Sequence, residues 1–230
     1  MDAKSVSIPR SLFFLSIFYG GMVCIAGVLG NKQVMLGPIS ALGPLIGIGP
    51  LAVEAGIFAF LLLVVVSSAV AELHGGRVAN QLVRIGFVPL IFSILLSIVV
   101  HAVPASPDMQ PEYRDAIQTV LGGTWRIWLG GIVAYGVSQT LNVTIFARLK
   151  GEEGAQLLWF RAGLASVLSQ IVDTLLFVTI AFYGTFPIGE LLAGQMLAKV
   201  VLSALLVPPL IYVAVGFGRR LDAMGPIRST

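Results

Sequence analysis

Charge is scarce in this chain. Only 11% of its 230 residues are Asp, Glu, Lys or Arg, where an ordinary soluble domain carries about 25%. With 57% of the residues hydrophobic and a mean hydropathy of +0.96, one soluble core could not hide the apolar surface. The composition therefore predicts an integral membrane protein, with no room for a soluble domain beside it. Cysteine is equally rare. Cys24 stands alone inside an apolar run, which excludes an internal disulfide and leaves it a filler's role. The two histidines, His74 and His101, sit at the ends of apolar runs. No cysteine or acid lies at ligand spacing from them, so they read as interfacial residues and no metal site is expected. There is no nucleophile elbow, no His-Glu-x-x-His, no P-loop and no glycine fingerprint after a strand. The chain is not expected to be an enzyme or to hold a cofactor. The net charge of +3 forms no basic stripe, which argues against nucleic acid as a partner.

Long apolar runs are present instead. The N-terminus carries Lys4 and Arg10 before such a run, but no small-x-small cleavage site follows, so the run reads as a first span and not a signal peptide. Six spans are predicted within a single transmembrane domain, 1–230, over about 11–29, 51–73, 79–102, 124–148, 157–183 and 191–216. Each is long enough for a hydrocarbon core of about 30 Å. The fold class is thus all-α, with an irregular segment, Gly37–Pro50, between spans one and two. Its glycines and Pro38, Pro44 and Pro50 break a regular helix, and such backbone is tolerated at membrane depth when packed against protein. The polar loop 103–123 is the longest hydrophilic stretch and suits a short surface helix from Glu112. Ten of the fourteen basic residues, Lys4, Arg10, Arg77, Arg84, Arg148, Lys150, Arg161, Arg219, Arg220 and Arg228, fall on the side of the termini. That excess predicts both termini in the cytoplasm.

Spans four and five carry most of the intramembrane polarity. Tyr135, Gln139 and Asn142 recur at i, i+4 and i+7. Ser166, Ser169, Gln170 and Asp173 recur at i, i+3, i+4 and i+7. Each set shares one helix face, and the short turn near 150–154 makes the two helices antiparallel neighbours. Amides and serines in spans often only join helices, at about 0.6 kcal/mol per bond. Asp173 changes the balance, because an ionised carboxylate at a helix centre costs about 2.5–3.5 kcal/mol on insertion scales. It must face the bundle interior, where it meets a ligand or pairs with Arg126 or Lys199, or else stay protonated. Glu54, Arg126 and Lys199 are placed toward the outer side, as a gate or steering ring, or as snorkelling and paired charges. Trp125, Trp128 and Trp159 suit an aromatic belt, and Trp128 and Tyr135, at i and i+7, can also stack on a ring. A bundle with an interior polar face and no catalytic motif points to transport of a small solute.

The pattern Arg126-x8-Tyr135-x3-Gln139-x2-Asn142-Val143-x2-Phe146-x-Arg148, then Arg161-x4-Ser166-x3-Gln170-x2-Asp173-Thr174-x2-Phe177, resembles the bacterial queuosine precursor transporters, also called the vitamin uptake transporter family. The Asn31-Lys32 pair and the Glu72-x2-Gly75 turn with Arg77 resemble it too. The chain departs from that pattern at Ser68, where relatives often carry Asp, and at Asn142, where some do. The resemblance implies a multi-pass inner-membrane importer of 7-cyano- and 7-aminomethyl-7-deazaguanine for tRNA modification. It implies substrate contacts from Asp173, Gln170, Asn142, Gln139, Tyr135, Trp128, Arg126, Ser166 and Phe177. Gating or coupling then falls to Glu72, Glu54, Lys199, Asn31 and Arg161. A deazaguanine presents a ring N–H beside an exocyclic amine, and one carboxylate accepts both. The implied partners are a deazapurine and membrane lipid, with a homodimer or an energising partner left open. The alternatives are a capture subunit of a vitamin transporter that needs a separate energising module, and a structural membrane protein.

Overall fold

A computed structural model describes residues 7–45, 47, 49–121, 125–149, 157–184 and 188–228, without the side chains of 39, 125–127, 190, 191 and 228. The chain runs β1 Ser7–Ile8, α1 Arg10–Leu29, β2 Gln33–Met35, a 3-10 turn Gly37–Ile39, α2 Leu42–Leu45, β3 Ala52–Glu54, α3 Gly56–His74 and α4 Gly76–Ala102. It continues through α5 Pro111–Leu121, α6 Trp125–Arg148, α7 Leu158–Phe182, α8 Gly189–Ala223 and β4 Ile227–Arg228. Among the described residues, α1, α3, α4, α6, α7 and α8 are long and apolar enough to cross a membrane. The protein is an all-α membrane protein, because a helix satisfies its own backbone groups where no water can.

The helices differ in which surface they hide. In α3 nearly every residue from Leu61 to Glu72 is buried, and this helix packs against α1, α4, α6, α7 and α8. Apolar on most sides, with Ser67, Ser68 and Glu72 as buried polar exceptions, it forms the centre of the bundle. By contrast α4 leaves Ile85, Phe92, Leu96 and Val99 more than half exposed, a surface for lipid chains. Close approach of α4 to its neighbours depends on Gly86, where a Cβ would overlap the Tyr135 hydroxyl and the Tyr19 ring. The sharp turn between α3 and α4 uses Gly75 at φ +90°, in the left-handed region that suits glycine. β1 pairs antiparallel with β4, Ser7 opposite Arg228 and Ile8 opposite Ile227, so both termini lie on one side. The same end holds a second tie. Ser11 donates its backbone N–H to Asp222 Oδ1 at 2.9 Å and its hydroxyl to Asp222 Oδ2 at 2.7 Å. Asp222 thereby caps α1 from the far end of the sequence.

Two boundaries differ from the sequence expectation. Residues 51–54 were expected to open span two as helix, but β3 pairs antiparallel with β2 and α3 starts only at Gly56. The register is Gln33 to Glu54, Val34 to Val53 and Met35 to Ala52, and the Ala55 N–H donates to the Lys32 carbonyl at 2.7 Å. Short apolar runs fit strand or helix equally, and here β-branched Val53 finds a partner strand in reach. The segment that joins the two strands returns to its start at Leu51, whose N–H donates to the Ser40 carbonyl at 3.1 Å. Buried Ser40 staples it, accepting from the Leu36 N–H at 2.7 Å and donating to the Leu51 carbonyl. At the other end of the chain, α8 continues past 216 to Ala223, through Pro208 and Pro209. Those two prolines withhold the N–H groups that would bond the carbonyls of Ala204 and Leu205.

Candidate functional site

Four helices deliver polar side chains to the bundle interior. On α7, Asp173 is 6% exposed. Its Oδ1 accepts a hydrogen bond from Ser138 Oγ of α6 at 3.1 Å. Its Oδ2 accepts one from Lys199 Nζ of α8 at 3.3 Å, and the Lys199 ammonium lies 5.8 Å from the centre of the Phe177 ring. The ion pair weighed against a ligand role for Asp173 is therefore present, with Lys199. A lone carboxylate at this depth would be expensive, and the ammonium beside it offsets that cost.

One residue along α6, the polarity passes to α3. Gln139 Oε1 accepts from Ser67 Oγ at 3.2 Å. Asn142 Nδ2 donates to Ser67 Oγ at 3.2 Å and to Ser68 Oγ at 3.1 Å. Gln139, Asn142, Ser166 and Gln170 are all fully buried. Gln139 Nε2, Asn142 Oδ1, Ser166 Oγ and both amide atoms of Gln170 are buried without a hydrogen-bond partner among the described residues. Ser203 Oγ on α8 is in the same condition. Unpaired buried groups of this kind cost about 1–3 kcal/mol each, and native structures keep few of them.

The remaining sequence candidates divide. Tyr135 is buried, but its hydroxyl turns away from Asp173 and donates to Tyr19 of α1 at 3.0 Å or to the Val83 carbonyl of α4 at 3.2 Å. It was expected to share a ligand face with Gln139; the notch at Gly86 instead seats it against α1 and α4. Arg126 lies on the first turn of α6, and its side chain falls outside the described residues; Trp128, at the end of that turn, is half-buried. Asn31 is exposed and binds back to the Gly27 and Val28 carbonyls at 3.1 and 3.3 Å. It closes the end of α1 and does not reach the interior. Glu54 ends strand β3, not helix α3, and its Oε1 accepts from Gln195 Nε2 of α8 at 3.3 Å. At the opposite end of α3, Glu72 and Arg161 form a buried ion pair, with the guanidinium 4.6 Å from the Phe146 ring centre. The charged candidates therefore sit as two sets, one near each end of the α3 axis, with the amides and serines between them.

Ser67, Ser138, Gln195 and Ser203 were not expected in the site. The i, i+4 spacing of Gln195 and Lys199 was the signal available for Gln195. Single serines in apolar helices carry no such signal. Two hollows stand apart from Asp173. One of about 260 Å³ lies between α1 and α4 beside Tyr19, Gln81 and Pro89. The other, of about 310 Å³, lies against Tyr113, Ile117 and Leu121 of α5. Around Asp173 the polar side chains close on one another.

Comparisons with known proteins bear on this arrangement. The family described as "Putative vitamin uptake transporter" matches residues 54–214, which contain Asp173, Lys199 and the buried amides and serines between them and Glu72. The "Probable queuosine precursor transporter" of Bacillus subtilis (strain 168) is 32% identical over 118 residues, 50% of this chain and 50% of that relative. The chain spans about half the length of that curated relative in the match. No solved structure matches the chain.

Proposed function

The chain belongs to the vitamin uptake transporter family, a family of transporters and not of enzymes, and on that premise we propose that it imports queuosine precursors across the bacterial inner membrane. The substrates in this reading are 7-cyano-7-deazaguanine and 7-aminomethyl-7-deazaguanine, and the termini face the cytoplasm, the side with ten of the fourteen basic residues. One observation carries the reading: a buried carboxylate on α7 whose neighbouring helix faces bear amide groups with unpaired atoms. A deazaguanine edge has the complementary chemistry. Asp173 accepts the ring N–H and the exocyclic amine, and Gln170, Gln139 and Asn142 address the carbonyl and the remaining donors. Phe177 covers a flat face, and Ser166 supplies a hydroxyl. Every donor and acceptor in such an arrangement finds a partner, which discriminates strongly against a ligand lacking one of them. Admission requires the polar side chains to part and Lys199 to leave Asp173.

The test is queuosine content of tRNA in a bacterial strain that cannot synthesise the precursor and lacks its own importer. With this gene expressed and a trace of precursor outside, queuosine is expected to return. Absence of queuosine, with the protein present in the membrane, refutes the reading. Uptake into proteoliposomes containing this chain alone separates an autonomous transporter from a capture subunit that needs an energising module.

A further inference from the structure

Helix α8 offers two side chains to two carboxylates. Gln195 and Lys199 are four residues apart and so lie one above the other on one face. Lys199 Nζ is bound to Asp173 Oδ2 at 3.3 Å, and Gln195 Nε2 to Glu54 Oε1 at 3.3 Å. Both α8 side chains are buried, and Gln195 Oε1 has no partner among the described residues. Glu54 is the last residue of the β2–β3 hairpin, fixed opposite Gln33, and strand β3 packs on α8. Its carboxyl is held above the ordinary carboxylate range by burial, with Lys199 and Gln195 pulling it partly back and Asp173 adding to the rise. One ammonium is thus felt by two carboxylates and bonded to one.

A ligand that takes Asp173 leaves that ammonium without its anion, and a buried charge stripped of its partner is the costly arrangement. The next carboxylate is Glu54, bonded by the α8 residue one helical turn before Lys199 and already within the ammonium's field, and Lys carries its three donors on a flexible four-carbon stem. Resting on the reading of Asp173 as the ligand's carboxylate, we propose that Lys199 is a displaced counter-ion: the ligand's N–H edge takes Asp173 while the ammonium transfers to Glu54, displacing Gln195 and holding the β2–β3 hairpin against α8. Lys199 is then a positioning residue, acting on the ligand only through Asp173. The exchange keeps one buried ammonium opposite one buried carboxylate before and after binding, so a neutral ligand enters without separating charge. It also ties occupancy of the interior to the seating of the hairpin.

The test is ligand affinity of the purified full chain in lipid nanodiscs, read with radiolabelled 7-cyano-7-deazaguanine, together with thermal midpoints of the ligand-free protein. Glu54→Gln is expected to weaken binding about tenfold, a typical coupling between linked events, with the ligand-free midpoint little changed. Glu54→Asp, which keeps the charge, is expected to retain most of the affinity. In a Lys199→Gln background, Glu54→Gln is expected to cause no further loss, because no ammonium then needs a second anion. A purely structural Glu54 would shift the midpoint and leave affinity alone. Binding by Glu54→Gln within twofold of the wild type overturns the exchange, as does an additive double variant. Failure of the wild type to bind overturns the deazaguanine reading and the exchange with it. Wild-type binding with an additive cycle overturns the exchange alone.

Discussion

Replacing Asp173 by Asn changes charge and leaves shape nearly intact, which makes it the sharpest probe of the proposed site. Two ligand N–H groups on a carboxylate are charge-assisted bonds of about 1.5–3 kcal/mol each, against about 0.5–1.5 for neutral ones. Loss of the charge therefore removes about 1 kcal/mol or more per bond. The asparagine amide also presents a donor where the second ligand N–H points, and a buried donor facing a donor costs about 1–3 kcal/mol more. The sum is roughly 3–5 kcal/mol, or about two to three and a half decades of affinity at 1.4 kcal/mol per decade. The same substitution strips Lys199 of its bonded anion, which by itself destabilises the bundle by about 3–5 kcal/mol if the ammonium stays charged. A fall in uptake would then be ambiguous. The double variant Asp173→Asn/Lys199→Gln resolves it, because removing both charges is often neutral for stability while the ligand's carboxylate is still absent. Initial uptake of labelled precursor, normalised to protein in the membrane, is expected to collapse in both variants, with the thermal midpoint recovered in the double one. A double variant with half-saturation within threefold of the wild type would refute the assignment of Asp173 to the ligand.

Other expectations follow from the packing and from the charges at each end. Arg161→Met removes the guanidinium that bonds Glu72 at this end of α3, and the loss of that buried pairing should appear as a lowered thermal midpoint in lipid. Asp222→Ala removes the cap on the first turn of α1, and a cost of about 1 kcal/mol should lower the midpoint slightly with ligand affinity unchanged. Gly86→Val drives a side chain into Tyr19 and the Tyr135 hydroxyl; overpacking of about 1–3 kcal/mol is expected to reduce the folded yield in membranes, measured by size-exclusion chromatography. Glu54 titrates above the ordinary carboxylate range because it is buried. Its charged form exists above that raised value and is lost as pH falls through it, so ligand affinity is expected to drop on mild acidification and Glu54→Gln to flatten that drop.

Helix number and the polar pair of spans were legible because both rest on local properties, run length and the 3.6-residue repeat. What escaped was set by neighbours. Leu51–Glu54 reads as the start of a helix until Gln33–Met35 is placed beside it. Tyr135 shares its repeat with Gln139 and Asn142, but the missing side chain at Gly86, on another helix, decides where its hydroxyl goes. Ser67, Ser68 and Ser138 look like small filler in apolar runs, and only the helix pairing shows that they meet amides and a carboxylate. Lys199 and Asp173 were each recognisable as buried charge, and their 26-residue separation left the choice of partner to the packing of α7 on α8.

Helix α8 is continuous from Gly189 to Ala223, so one rigid shaft carries Lys199 near its beginning and Asp222 near its end, about 35 Å apart at 1.5 Å per residue. Displacement at the Lys199 end has two outlets only. It is transmitted as tilt to the tie between Asp222 and Ser11, or it is taken up at Pro208 and Pro209, where the shaft lacks two of its own rungs. A pair of distance labels across the chain termini would therefore report on events at the far membrane face.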